Sequence, residues 1–372
     1  MKGSQKLFRW MLTSLVILIV LVVLFMAVNA RQNGCLVGKA NENYRFGVTA
    51  PLNIDWLDLA SLHAGGILNW SAKNNPALPA GMDYLRIVNV DDKTYKTLPA
   101  SLPGMVKKYP ESVWLIGNEP DRYFYQDSIT AESYGERYFQ LASIIRSQDP
   151  SARIGFGTVI QPTPIRIRYL ERALDRLAQL AGGTEKAMAL IDIWSIHNFI
   201  LNEDPNEWGA GVPVGFENDY SDAVRIPISD YNDTHSISIF TQRVIAFRQW
   251  MAKIGQRDKP LWITEYGSIF PPIDPPDSDY YNVSDQDTAA FLVSTFDFLM
   301  TATDSNTGLV SDGNRLVQRW FWYSLNDHRY SYGGSFFDPD NGNAITPVGE
   351  AFINYTAKLP VCYLPLPAFL KE

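Results

Sequence analysis

The sequence predicts an α/β protein: a single (β/α)8 barrel preceded by one transmembrane helix. Three observations lead there. Eight short apolar runs recur along the 372 residues, amphipathic stretches separate most of them, and one long uncharged stretch stands in front of them all. Short apolar runs bounded by turn signals suit strands buried on both faces. Eight such strands alternating with helices close as a barrel. The ~340 residues after the long stretch could by length form two ordinary domains or one large barrel. No repeat or linker divides them, which favours one.

The N-terminus carries Lys2, Lys6 and Arg9, then "WMLTSLVILIVLVVLFMAVNA", with no charge until Arg31. About 20 apolar residues cross a hydrocarbon core, and the basic flank stays on the cytoplasmic side. The expected division is a cytoplasmic segment at 1–9, a signal anchor at 10–30, a linker at 31–42 and the barrel at 43–372. "AVNA" also offers a cleavage site, so a removed signal peptide is the alternative. The barrel is then extracytoplasmic in either case, held at the cell membrane or secreted. Cys35 and Cys362, the two cysteines, stand near the ends of the exported part. In an oxidising compartment they form a disulfide tying the ends together, or else remain two thiols.

The strand candidates follow in order: "RFGVTA" (45–50), "GGILNWS" (65–71), "YLRIVNV" (84–90), "VWLIGNE" (113–119), "RIGFGTV" (153–159), "IDIWSIHNF" (191–199), "LWITEYG" (261–267) and "RWFWYSL" (319–325). Helical spacing puts Tyr134, Tyr138, Leu141 and Ile145 on one face, then Phe240, Val244, Phe247 and Met251, then Leu292, Phe296 and Leu299. Gly255 suits a helix C-cap. The second unit is the exception, because "AKNNPALPAGMD" offers a loop rather than a helix. Residues 200–238 and 267–285 make two long connections after the sixth and seventh strands. In a barrel both lie on the C-terminal face, where they shape a binding cleft.

Composition narrows the function. A net charge of −8 and a pI near 5.1 argue against a nucleic-acid partner. The four histidines, at 63, 197, 235 and 328, have no metal-ligand spacing, and there is no glycine-rich phosphate loop, so neither metal nor cofactor is expected. "DPDNGN" (338–343) lacks the full ligand set of a calcium loop and reads as a turn.

Two strands end alike. "VWLIGNEPD" closes the fourth on Glu119, and "PLWITEYG" closes the seventh on Glu265. Strand alternation then points Leu115 and Gly117 inward below Glu119, and Leu261 and Ile263 inward below Glu265. Strands four and seven face each other across a barrel mouth. Two carboxylates meeting there is the arrangement that glycoside hydrolysis uses.

"GNEPD" and "WITEYG" in this strand context resemble the clan A glycoside hydrolases, retaining enzymes on (β/α)8 barrels. Asn69-Trp70 ending the second strand, with the Trp-Ile-Thr-Glu seventh strand, is most similar to glycoside hydrolase family 128, the endo-β-1,3-glucanase group. "FFDPDNGNAITPVGEAF" (336–352) equally resembles the β-xylosidase and iduronidase family. The resemblance spans about residues 43–357. It implies Glu119 as acid/base, Glu265 as nucleophile and Asn118 as a partner of the sugar 2-hydroxyl. The roles require a raised pKa at Glu119 and an ionised Glu265.

Around the pair, His197 is placed to orient Glu265 or bond a sugar hydroxyl. Either Arg86 or Asn89 faces inward from strand three, and Arg86 would hold Glu265 ionised. Trp70 and Trp322 are candidates for an aromatic floor under the sugar. The expected protein is a monomeric hydrolase of a β-linked polysaccharide, with a β-glucan favoured. A non-catalytic carbohydrate-binding barrel and a transglycosylase using the same pair are the alternatives.

Overall fold

The computed structural model describes residues 42–50, 59–269, 283–327 and 333–359. Eight parallel strands close a barrel in sequential order. They are β1 (Phe46–Thr49), β2 (Gly66–Leu68), β3 (Asp83–Val88), β4 (Val113–Ile116), β5 (Arg153–Val159), β6 (Ile193–His197), β7 (Leu261–Tyr266) and β8 (Arg319–Trp322). Each lies within or next to its expected run. The barrel belongs to the compact unit Tyr44–Ala357.

Among the described residues no helix is long and apolar enough to cross a membrane. This corrects the single-pass membrane localisation expected above; residues 10–30, on which that expectation rested, lie outside the described residues. So do Cys35 and Cys362, and with them the expected disulfide.

The longer helices outside the barrel are α1 (Leu98–Lys108), α2 (Ala131–Gln148), α3 (Pro164–Ala181), α4 (Ile237–Lys253), α5 (Asp285–Thr301) and α6 (Pro347–Thr356). The faces expected on α2, α4 and α5 are all buried. Thr130 caps α2, Ser236 caps α4, and Ser284 with Asp287 forms a capping box on α5. Two residues past α4, Gly255 takes the left-handed φ of 75°. The helices α2 and α3 pack so closely at Gly135 that a Cβ there would strike the Ala173 carbonyl. "DPDNGN" is indeed a turn, joining Phe337–Asp338 to Ala344–Ile345 as a small antiparallel hairpin.

Side chains fill the barrel. Leu68, Leu85, Ile87, Val113, Leu115, Ile193, Trp262 and Phe321 form one buried cluster. Phe321 occupies the space that a side chain at Gly47 would need. Beneath it Arg319 bonds Asp83 and the Gly65 carbonyl, both at 2.9 Å, with its guanidinium over Trp262 at 5.0 Å. Trp262 in the interior means that Leu261 and Ile263 face the helices, the reverse of the alternation expected below Glu265. A bulge explains it: pairing with β6 jumps from Ile196–Ile263 to His197–Glu265. The extra residue, Thr264, bonds Ser195 at 2.8 Å, and Glu265 returns to the mouth.

No helix joins β2 to β3, as expected. Arg86 takes over its packing. Leu85 and Ile87 face the interior, so Arg86 faces out, where it donates to the carbonyls of Ala72 (3.1 Å) and Asn74 (2.7 Å) and to Asn75 Oδ1 (3.1 Å). Its guanidinium lies 3.5 Å from the Tyr109 ring centre. Arg86→Met should therefore cost about 3 kcal/mol, from unpaired carbonyls and lost stacking. Urea unfolding measures this; a change under 1 kcal/mol would show that the connection holds without it.

Candidate active site

The C-terminal ends of β6 and β7 and the turn that follows β4 put three titratable groups in one place. Past Ile116 the chain leaves the sheet through Gly117, at φ 93°, and Glu119, at φ 46°. Positive φ is rare at a non-glycine residue and clusters at functional sites. The Gly117 N–H donates to the Val88 carbonyl at 2.9 Å and the Glu119 N–H to the Thr158 carbonyl at 3.0 Å. Thr158 is itself the extra residue of a bulge in β5. These bonds aim the Glu119 side chain across the mouth.

There it meets His197 and Glu265. His197 Nδ1 lies 3.0 Å from Glu119 Oε1, and His197 Nε2 lies 3.6 Å from Glu265 Oε1. One oxygen of each carboxyl and one imidazole nitrogen all lie within 4.8 Å of one another. All three residues are buried. Trp70, at φ 56° beyond β2, donates its indole N–H to Glu265 Oε1 at 2.6 Å. Arg122 Nη1 lies 3.2 Å from Glu119 Oε2. Such a triad has the spacing to hold a divalent cation. However, the indole N–H and the guanidinium already occupy an oxygen on each carboxylate.

Burial alone would raise both carboxyls, and their surroundings separate them. At Glu119 burial is outweighed by the His197 hydrogen bond and the charges of Arg122 and His197, so its pKa falls. At Glu265 burial and the charge of Glu119 win over His197 and the Trp70 hydrogen bond, pushing it up to about 7. His197 rises despite burial, because Glu265 and Glu119 favour its cation. These surroundings favour a proton on Glu265 over one on Glu119, the opposite of the order expected above.

Of the other residues singled out by sequence, Asn118 and Trp70 stand at this mouth. The Asn118 amide N–H donates to Asp127 Oδ2 at 2.6 Å and its Nδ2 to Gln126 Oε1 at 3.2 Å, while its buried Oδ1 has no partner. Arg86 is not there: it holds the β2–β3 connection and leaves the inward position to Asn89, whose Nδ2 reaches the Trp70 carbonyl at 3.5 Å. Trp322 is not there either. It is fully buried on the helix side of β8, 5.2 Å from the Tyr266 ring, with its N–H on the Gly334 carbonyl. The aromatic wall at the mouth is instead Trp70 beside Tyr323, Phe199 and the half-buried Trp208.

Sequence reasoning also missed the residues that hold the mouth's loops. Arg166, in the first turn of α3 and fully buried, pairs with Asp121 after β4. It also pairs with Glu203 after β6 at 2.8 Å and donates to the Gly211 carbonyl at 2.6 Å. Glu203 further accepts from Gln161, Thr163 and the Val224 N–H. Arg166→Met leaves two buried carboxylates without a cation, so it should cost about 3–5 kcal/mol in denaturant unfolding. A loss under 1 kcal/mol would show that the loops hold without the clamp.

No protein-family model and no curated protein matches the chain. Solved structures do. A curdlan-specific exo-β-1,3-glucanase of GH128 subgroup III from Blastomyces gilchristii, solved with glucose, is 16% identical. The match covers 84% of this chain and 99% of that one, at a TM-score of 0.50. A GH39 enzyme from Xanthomonas axonopodis pv. citri is 12% identical, with 87% and 68% covered and a TM-score of 0.55. A monomeric β-xylosidase from Caulobacter crescentus CB15 is 13% identical, with 86% and 69% covered and a TM-score of 0.53. The structural neighbours are clan A glycoside hydrolases, GH128 among them, in line with the motif resemblance. At these identities the likeness is one of fold.

Proposed function

We propose that this protein is a retaining glycoside hydrolase acting on a β-linked polysaccharide, with a β-glucan as the favoured substrate. The observation that carries the reading is the convergence of Glu119 and Glu265, with carboxylate oxygens within 4.8 Å, at the C-terminal mouth of a barrel. Retaining enzymes hold their carboxyl groups about 5–5.5 Å apart, and inverting ones leave room for a water between them. Glu265 is the nucleophile and Glu119 the acid/base.

The resting proton has to change places before the first step. A sugar entering the mouth displaces the Arg122 guanidinium from Glu119 and so removes the main cation opposing protonation there. His197 touches both carboxyls. A proton leaving Glu265 for Nε2, while Nδ1 releases its own to Glu119, completes the exchange with no net change in protons. Glu265 then attacks the anomeric carbon as Glu119 protonates the departing oxygen. In the second step Glu119 takes a proton from water, which releases the sugar from Glu265.

One observation favours a second reading, a non-catalytic glycan-binding barrel: Arg122 rests on the very carboxyl that should act as an acid. Two experiments separate the readings. Activity needs one proton on the pair, so kcat/KM should fall above about 7, where Glu265 loses it. Removing the cation favours the protonated pair, so Arg122→Gln should move that limb upward. An unmoved limb would remove Arg122 from the account.

Azide separates the two glutamates. With an activated aryl β-glycoside, Glu119→Ala should accumulate the glycosyl-enzyme, and azide should restore turnover as the β-azide. Glu265→Gly opens space beside the anomeric carbon, and azide attacking there should give the α-azide. The same anomer from both variants would refute the assignment. Glycan binding by the unmutated protein with no cleavage across β-glucans, mannans and xylans would establish the second reading.

A further inference from the structure

The loop that follows Glu119 carries three consecutive aromatic residues with large exposure. Phe124 is 79% exposed, Tyr125 63% and Tyr123 36%. The other large exposed apolar side chains among the described residues are single aliphatics, at Ile237, Ile245, Val310 and Ile345. We propose that Tyr123, Phe124 and Tyr125 form a platform for a polymeric β-glycan, binding the sugars on the leaving-group side of Glu119. This rests on the hydrolase reading for the chemistry, though not for the binding.

The loop is held rigid at both feet. Asp121 sits in the Arg166 clamp. Asp127, buried, accepts from the N–H groups of Asn118 (2.6 Å) and Asp91 (3.2 Å). Rungs cross between the feet, from the Ile129 N–H to the Pro120 carbonyl at 2.8 Å and from the Asp127 N–H to the Asn118 carbonyl at 3.3 Å. The Phe124 N–H closes the tip on Ser128 Oγ at 3.0 Å. Within this frame Phe124, Gln126 and Ser128 take φ of 63°, 57° and 42°. Each non-glycine residue there costs on the order of 1 kcal/mol, and such strain collects at functional sites. A pinned, strained tip that keeps its rings in water has forgone their burial.

The occupant follows from what adjoins the rings. Tyr125 lies under the Arg122 guanidinium at 5.0 Å, and Arg122 reaches Glu119 at 3.2 Å. One side chain thus joins platform to acid. The acid protonates the oxygen of the departing sugar, so the departing portion of the chain leaves past Glu119 and its loop. Sugars present apolar C–H faces between hydroxyls, which aromatic faces and tyrosine hydroxyls match. The Tyr123 and Phe124 rings, 4.0 Å apart and tilted by 54°, offer faces at different angles to a twisted chain.

The test is the double variant Tyr123→Ala/Phe124→Ala, with Tyr125 retained because it meets Arg122. In native gels containing soluble β-1,3-glucan the unmutated protein should be retarded and the double variant should lose most of that retardation. Its unfolding midpoint should not change. On long glucan its kcat/KM should fall about tenfold, and by a much smaller factor on an aryl β-glucoside. Equal retardation of both proteins, or none for the unmutated one, overturns the platform. So does a dimer that the double substitution dissociates, since the rings would then serve a second copy. If the unmutated protein is retarded, the variant is not, and neither cleaves any glycan, the platform stands and the hydrolase reading falls.

Discussion

The mouth of this barrel depends on one buried guanidinium. Arg166 gives up all contact with water, and Asp121, Glu203 and the Gly211 carbonyl return what hydration would have supplied. A buried ion pair adds little net stability over a hydrophobic replacement, but its geometry is demanding. Here that geometry joins the loops after β4 and β6 to the first turn of α3. Glu119 stands two residues from Asp121, so the seat of its carboxyl is set by a charge pair elsewhere. Arg243 extends the arrangement, reaching Gln161 at 3.2 Å and the Phe199 carbonyl at 2.6 Å. The long connection after β6 is held by charges and carbonyls as much as by apolar burial.

The electrostatics of the site follow from enclosing two carboxyls with few partners. Neither can lose its proton without regard to the other. Each neighbour then tips the balance: the His197 contact and Arg122 toward an ionised Glu119, His197 and Trp70 toward an ionised Glu265. Arg122 is the member best able to leave, since its side chain is 22% exposed while Glu119 is 3% exposed. A site poised this way holds its proton on the carboxyl proposed as the nucleophile. In the proposed mechanism, occupancy of the mouth, rather than the fold alone, determines which carboxyl is the acid.

The barrel was legible because its signals are local. A run such as "RIGFGTV" must be buried on both faces, and β5 spans those same seven residues. The faces of α2, α4 and α5 were legible for the same reason, through 3.6-residue spacing. Alternation failed where it relies on unbroken pairing. The bulge at Thr264 reverses the parity of β7, and nothing in "LWITEYG" announces it. Arg166 was invisible because a charged residue on a helix normally faces water, and its partners lie 45 and 37 positions away. Arg122 follows Glu119 by three residues in a loop, where no periodicity says which way a side chain points. Trp322 misled because sequence marks an aromatic residue without choosing between the two sides of a strand.

The absent helix between β2 and β3 divides a short connection into two kinds of chain. From Asn69 to Asn75 every step is held: Trp70 by Glu265, and Ala72, Asn74 and Asn75 by Arg86. A residue gained or lost there would withdraw the indole from the carboxyl. From Pro76 to Met82 the grip ends and much of the chain is exposed. Length is cheap to change in such a segment. Evolution could lengthen this edge of the barrel, even into a new lobe, while the neighbouring seven residues stayed fixed in number.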